Sequence, residues 1–453
     1  MRVLLKSLTV MASLGFVSTS PCLHAEEALE TPWTEVLGPS LGMIPELASE
    51  PLFWRKPVVW REDFGDALEE ARSRNMPLFV TWRCLPCKQC AEFDQEVLDG
   101  SPQLTPLLRR FVTVRMTDAA ELDERYFPYR GYQDLDLSWW GYFLSPQGQL
   151  YGVFGGKDHV SDATRISEPA LVNSLGRVLR HHHDPRRESW NIDGPGPVVG
   201  EARRGPREEA HFGLFEQERP WMGKQTCVHC HQVGDWLHFG SMQRGDFDLK
   251  VYTQPWPLPE NVGLLLDRDD GLLVTAVEAG SAAHRAGLRA GDRLGMAGNR
   301  RLFGQTDFRG VLHRASYDAD LIPVGWVREN QAHFATLKVS GGWRETQNSW
   351  RKTIYEGVYG PHLGFFPIAG PNQGNGSMSL KPFMGSREKR SRNPWYSTGL
   401  RPNMEIVEVN GQRSDWNSRQ FLAWFRLNHR VGDMVTIKTR GGRVFRRIIP
   451  EAN

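Results

Sequence analysis

Little in this sequence is extreme, and what it has little of narrows the field. Lys and Arg exceed Asp and Glu by two, 55 against 53 in 453 residues. No strong field of one sign therefore draws in nucleic acid, and no basic cluster is dense enough to restore that reading. Beyond the N-terminus no apolar run approaches the about 20 residues of a membrane span, so no transmembrane span is expected in the mature chain. Cysteine is scarce, six in all, and unlike the even framework of a disulfide-stapled mini-domain. What is present is a 40% hydrophobic, 11% aromatic chain, enough to build cores and to exclude wholesale disorder. With 45 Gly and 29 Pro it is rich in turns, and its length suits about three domains of roughly 150 residues.

The N-terminus sets the compartment. Arg2 and Lys6 bracket the start of an apolar run from Val3 to Val17, and small and polar residues lead to Leu23-His24-Ala25. A positive n-region, a short h-region and a cleavage site read as a secretory signal over residues 1–25, and an exported, periplasmic protein is expected. Ser20-Pro21 before Cys22 fits a lipid-attachment site poorly. Cleavage after Ala25 leaves Cys84, Cys87, Cys90, Cys227 and Cys230 in two tight clusters. In an exported chain this grouping points to redox or cofactor chemistry.

Asp63 is placed to cap a helix whose apolar face is Phe64, Ala67, Leu68 and Ala71. Pro77 opens a strand, Leu78 to Trp82, that runs into Cys84-Leu-Pro-Cys87-Lys-Gln-Cys90 at the expected start of a second helix. Phe111–Met116 and Tyr142–Leu144 read as strands, Ser145-Pro-Gln-Gly148 as a turn into a hairpin strand at Leu150–Phe154, and Leu171–Leu179 as a closing helix. This order, with CxxC at a helix start, resembles the thioredoxin fold over 58–183, with an N-terminal extension at 26–57. Pro77 lies ten residues before Cys87, and Phe93 three after Cys90, as in the exported thiol-reductase branch of that family. The resemblance implies an attacking Cys87, a resolving Cys90 and a third, relay thiol at Cys84. Cys84/Cys87 stays the competing pair, because its local spelling is closer to the thioredoxin motif. A helix N-terminus stabilises a thiolate, and a thiol two residues on releases the mixed disulfide. Where the family places a Pro, usually cis, before the hairpin strand, this chain has Ser138-Trp-Trp-Gly141, which puts substrate handling in doubt.

Periodicity fades over 184–256, read as a linker. His181-His182-His183 reads as a solvated helix end. Within the linker stands Cys227-Val-His-Cys230-His231, the spacing by which c-type haem (heme c) is attached: two thioethers, with His231 as the iron ligand. Zinc, with one further ligand, and a plain disulfide remain the alternatives. Met222, His238, Met242 and His211 are candidate sixth ligands.

Gly280-Ser-Ala-Ala-His-Arg-Ala-Gly-Leu-Arg-Ala-Gly-Asp292-Arg-Leu294 closely resembles the bacterial PDZ signature and places a PDZ domain at 257–343. The resemblance implies that Val262, Gly263 and Leu264 hold the terminal carboxylate of a protein or peptide that adds as a strand. His362-Leu-Gly-Phe-Phe366, Thr398–Ile406 and Val409-Asn-Gly411 echo it as a second, degenerate PDZ domain over 358–450. Residues 370–393 read as a polar, mobile insertion. The expected fold class is thus multidomain α/β and β: a thioredoxin-like domain, one clear PDZ domain and one degenerate one. That architecture resembles a family of exported bacterial proteins, some of whose members place selenocysteine in the redox motif. It implies thiol–disulfide oxidoreduction with an unnamed redox partner. The alternative is a non-enzymatic periplasmic PDZ scaffold whose cysteine clusters are structural or bind zinc.

Overall fold

Asp63 caps the first long helix, α1 (Phe64–Arg74): its carboxylate accepts the Asp66 N–H at 2.8 Å, satisfying a donor that a helix start leaves open. The computed structural model describes residues 33–39, 57–83, 88–99, 101–119, 122–157, 166–198, 205, 228–355, 361–385 and 393–449. The signal segment 1–25, Cys84, Cys87, Cys227, His211 and Met222 lie outside the described residues.

Five strands form the first sheet: β1 (Trp60–Arg61), β2 (Leu78–Trp82), β3 (Val112–Met116), β4 (Ser138–Leu144) and β5 (Leu150–Lys157). Their order is β1-β3-β2-β4-β5, with β3 parallel to β1 and β2, and the β4–β5 hairpin antiparallel. Every residue of β2 is buried, as a central strand covered on both faces requires. Because side chains alternate across a strand, Val80, Tyr142 and Val114 join Ala67, Leu68 and Ala71 of α1 on one face. Phe79 and Phe143 face the other way, with Cys90 and Phe93 of α2 (Lys88–Phe93) and Leu171, Leu175 and Val178 of α3 (Glu168–His182). β4 starts four residues before the Tyr142 expected from sequence.

The segment read as a linker contributes to this core. Val228 and, on α4 (Cys230–Arg244), Val233 and Trp236 complete the α1 side of the sheet. Burying side chains of this size is worth about 1.5–3 kcal/mol each. The solvated reading of the His triplet is corrected likewise: His181 and His182 are 1% and 5% exposed. His181 Nε2 lies 2.7 Å from Asp193 Oδ1, while His182 donates to Asn75 O at 3.0 Å and accepts from the Tyr151 hydroxyl at 2.9 Å.

A second unit pairs β6 (Leu264–Leu266) with β7 (Val274–Val277). Its other sheet holds β8 (Arg293–Ala297), β9 (Arg300–Arg301), β10 (Asp320–Arg328) and β11 (Gln331–Val339) in the order β11-β10-β8-β9. Its helix α5 (Gln305–Arg314) docks on the free edge of β5. Asp307 accepts the Val153 N–H at 2.8 Å, and Thr306 donates to Gly155 O at 3.1 Å. Gly152 allows this approach, since a Cβ there would lie 2.9 Å from the Asp307 carboxylate.

The third unit is a sheet ordered β12-β13-β14-β15-β16, formed by β12 (Phe366–Ala369), β13 (Leu380–Phe383), β14 (Ile406–Val409), β15 (Met434–Thr439) and β16 (Val444–Ile448). It packs against α6 (Ser418–Asn428). The expected polar insertion is corrected in its first part, where Met378 and Leu380 are fully buried and β13 pairs with β12; 386–392 lie outside the described residues. Buried ion pairs join the units: Arg351 reaches Asp134 at 2.7 Å and Asp136 at 3.2 Å, and Arg426 reaches Asp235 of α4 at 2.9 Å. No helix among the described residues is long and apolar enough to cross a membrane.

Candidate functional site

β2 ends at Trp82, and Arg83 donates its N–H to Met116 O at the end of β3 at 3.1 Å. The chain then enters Cys84-Leu-Pro-Cys87, outside the described residues, and is next described at Lys88, the first residue of α2. Cys90 sits one turn into this approach, fully buried among Phe79, Phe93, Trp139 and Phe143. The helix then widens into a π turn, Asp94–Leu98, a feature that recurs at functional sites.

Asp94 is 2% exposed. Its carboxylate accepts the Trp139 indole N–H at 3.0 Å and contacts Arg83 Nε at 2.6 Å and Arg115 Nε at 3.5 Å. Burial pushes its pKa above the usual carboxylate range, against the lowering pull of Arg115, Trp139 and Arg83. Trp139 itself holds φ 58, the left-handed region, which costs a non-glycine residue energy and marks sites that the surroundings over-determine. The sequence reading passed over Asp94, although its place four residues after Cys90 puts both on one helical face.

The second cysteine cluster is anchored at the same end of the sheet. Asp118, two residues beyond β3, accepts the N–H of buried Val228 at 3.1 Å, and Val228 is covalently next to Cys227. Gln133 donates to Cys230 Sγ at 3.3 Å and accepts from the buried Tyr142 hydroxyl at 2.7 Å. Burial, chiefly, raises the Tyr142 pKa well above its ordinary value, so this hydroxyl remains a donor. Cys230 and His231 are consecutive on the first turn of α4, both half-buried. The rings of His229 and His231 stack at 5.3 Å.

Cys230 on the first turn of α4, next to a half-buried His231, suits a c-type haem in kind; with haem attached, a thioether would replace the Gln133–Cys230 hydrogen bond. His238 does not suit the role of a second iron ligand. It lies seven residues on, about 10 Å along the helix, fully buried against Phe247 and Tyr252. Burial, with Arg426 and Arg430 nearby, drives its pKa well down. Met242 is half-buried at the far end of the same helix. For the zinc alternative, no group of three His, Cys, Asp or Glu gathers among the described residues.

In the second unit Val262, Gly263 and Leu264 are buried, and the Gly263 N–H donates to Glu260 O at 2.9 Å. Gln305, Thr306 and 308–312 of α5 are buried too. The third unit has an open groove of about 330 Å³ between the 362–366 segment and α6, lined by Tyr355, Leu363, Phe365, Leu422, Phe425 and Arg426. β12 beside it is an edge strand. Burial, then the charges of Arg426 and Arg447, lowers the His362 pKa.

A family model described as thioredoxin-like matches residues 59–133, from β1 to the turn before β4. The first domain is therefore thioredoxin-like, with the thiol–disulfide redox role that such a domain suggests. Comparison with curated proteins gives no significant match.

Proposed function

We propose that the chain is an exported, periplasmic thiol–disulfide oxidoreductase. The observation that carries the reading is the thioredoxin-like match at 59–133 spanning a cysteine motif that runs into α2. Cys87 as thiolate attacks a client disulfide, forming a mixed disulfide and expelling one client thiolate. Cys90, deprotonated, then attacks the Cys87 sulfur; the Cys87–Cys90 disulfide closes and the second client thiol leaves. The client disulfide gains two electrons and two protons in all, and Cys84 serves as a third, relay thiol. Cys227, Cys230 and His231 hold a c-type haem, which when bound supplies single-electron transfer. The PDZ-like units recruit protein C-termini. The open groove at Leu363, Phe365, Leu422 and Phe425 supports that role better than the Val262–Leu264 loop, whose neighbouring helix α5 is occupied by the first domain.

The test is client-disulfide reduction by the whole chain, with Cys87→Ser as control: turnover lost in the variant supports the reading. Cys90 favours the second reading, a PDZ scaffold with structural cysteines, because a thiol fully buried in an aromatic-rich cluster is out of a client's reach, as inert structural cysteines are. Equal behaviour of the two proteins supports the scaffold.

A further inference from the structure

The whole chain is near neutral, but its charge is unevenly spread. Residues 358–453 hold 15 Lys and Arg against 6 Asp and Glu. The β15–β16 hairpin concentrates this excess: between Met434 and Pro450 stand five Lys or Arg and no Asp or Glu. Such a cluster attracts anionic surfaces over a Debye length, about 8–10 Å at ordinary salt.

Alternation along the strands sorts the hairpin into two faces. Val435, Ile437 and Phe445 are buried and pack in the core with Phe421 and Phe425 of α6. Met434, Val444 and Ile448 point the other way and are 51%, 50% and 55% exposed. Cations stand among them. Met434 pairs with Ile448, Lys438 with Val444 and Thr436 with Arg446, which brings the side chains of each pair to about 5 Å. Lys438 lies 3.9 Å from Glu408, a carboxylate shared with Arg413, and Arg440 in the turn is held by Glu405. Arg446 and, in the turn, Arg443 are exposed and meet no carboxylate among the described residues. β16 is also an edge of its sheet.

Cations interleaved with half-exposed aliphatic side chains fit one kind of anionic partner. A nucleic acid strand gains from aromatic rings on which its bases stack, and the one aromatic residue of this hairpin, Phe445, is buried. Met, Val and Ile gain instead by entering the boundary between headgroups and acyl chains, while Lys and Arg stay at the phosphates. We infer that the outer face of β15–β16 is a docking surface for an anionic phospholipid bilayer: Met434, Val444 and Ile448 enter it, and Lys438, Arg443 and Arg446 meet its headgroups. None of these six residues lines the groove at Leu363 and Phe425. The role of this face therefore does not depend on the peptide, thiol or haem readings.

The experiment is co-sedimentation of the full-length protein with vesicles of equimolar phosphatidylglycerol and phosphatidylcholine, beside vesicles of phosphatidylcholine alone. The readout is binding to the mixed vesicles in excess of the neutral ones, which subtracts what the apolar run Val3–Val17 contributes by itself. The parent is expected to show this excess at low salt and to lose it at high salt. Arg446→Glu weakens it at least tenfold, since each cation near an anionic surface is worth about fivefold. Val444→Ser/Ile448→Ser, which leaves the charge alone, weakens it about fivefold. Arg419→Glu makes the same change of charge on an exposed residue of α6, which packs on the sheet's other face, and stays within about twofold of the parent. All four positions are exposed or half-exposed, so each variant keeps the parent's far-UV spectrum and urea midpoint. No excess binding by the parent overturns the inference, and so does an excess that both Arg446→Glu and the Ser pair leave unchanged. Binding to single-stranded DNA as tight as to the mixed vesicles, and undiminished in the Ser pair, also overturns it and gives the face to a nucleic acid.

Discussion

The backbone N–H of Val228 donates to Asp118 Oδ1 at 3.1 Å, which fixes the chain beside Cys227 to the strand end that also pairs with the exit of β2. Val228, one residue after Cys227, and the strand exit that leads into Cys84, about 140 residues away in sequence, thereby lie at one end of one sheet. Asp118→Ala leaves a buried N–H without its acceptor, a cost of about 1–3 kcal/mol. The expected outcome is a lower urea midpoint and faster proteolysis around 228, while α1 and the first sheet keep their far-UV signal.

Arg351 sits between Asp134 and Asp136 with all three side chains nearly sealed from water. Arg351→Met removes the main countercharge and strands two carboxylates, with Arg309 left 3.4 Å from Asp134. Breaking a buried pair from one side costs about 3–5 kcal/mol. Urea unfolding at neutral pH reads this directly, and a change below 1 kcal/mol contradicts the account of this junction.

Acid weakens the fold through His182. Burial, chiefly, lowers its pKa to about 4, against about 6.5 in an unfolded chain. The unfolded chain takes up the proton first, so this contribution is complete above pH 6.5 and is lost as pH falls toward 4. The whole contribution is of the order of 3 kcal/mol. His182→Gln keeps partners for Tyr151 and Asn75 but cannot titrate. The stability difference between the parent and this variant is expected to shrink between pH 7.5 and 4.5, as followed by denaturation at each pH.

Covalent haem at Cys227 and Cys230 predicts a sharp band in the dithionite-reduced visible spectrum that survives denaturation and is lost in Cys230→Ser. Protein exported beside a control cytochrome that matures normally, yet showing no band, removes the haem and leaves a zinc or disulfide site.

The C-terminal groove predicts binding of a peptide that ends in a free apolar residue, measured by fluorescence anisotropy. Amidating the peptide's C-terminus, or Leu422→Glu in the groove, weakens binding at least tenfold; equal binding of the free and amidated peptides contradicts a carboxylate site.

How much of this was legible in the sequence depended on periodicity. α1 and β2 carry their apolar stripe and run in plain view, and their caps and edges came out where Asp63 and Pro77 placed them. α4 did not, because its buried positions include Asp235, His238 and Ser241, polar residues that break an apolar stripe and find a place only through contacts with the other units. The His triplet failed for the same reason: Tyr151, Asp193 and Asn75, which bury and bond it, are distant in sequence. Asp94 was readable as a neighbour of Cys90 on a helix, but Arg83, Arg115 and Trp139 converge on it only once the sheet is formed.

The most direct test of the central claim is insulin-disulfide reduction by the full chain, with dithiothreitol as the electron source, compared with Cys87→Ser. Catalysed reduction that falls to the dithiothreitol background in Cys87→Ser is the predicted result. Background rates from both proteins, each shown to be folded, would contradict thiol–disulfide exchange as the function of this domain.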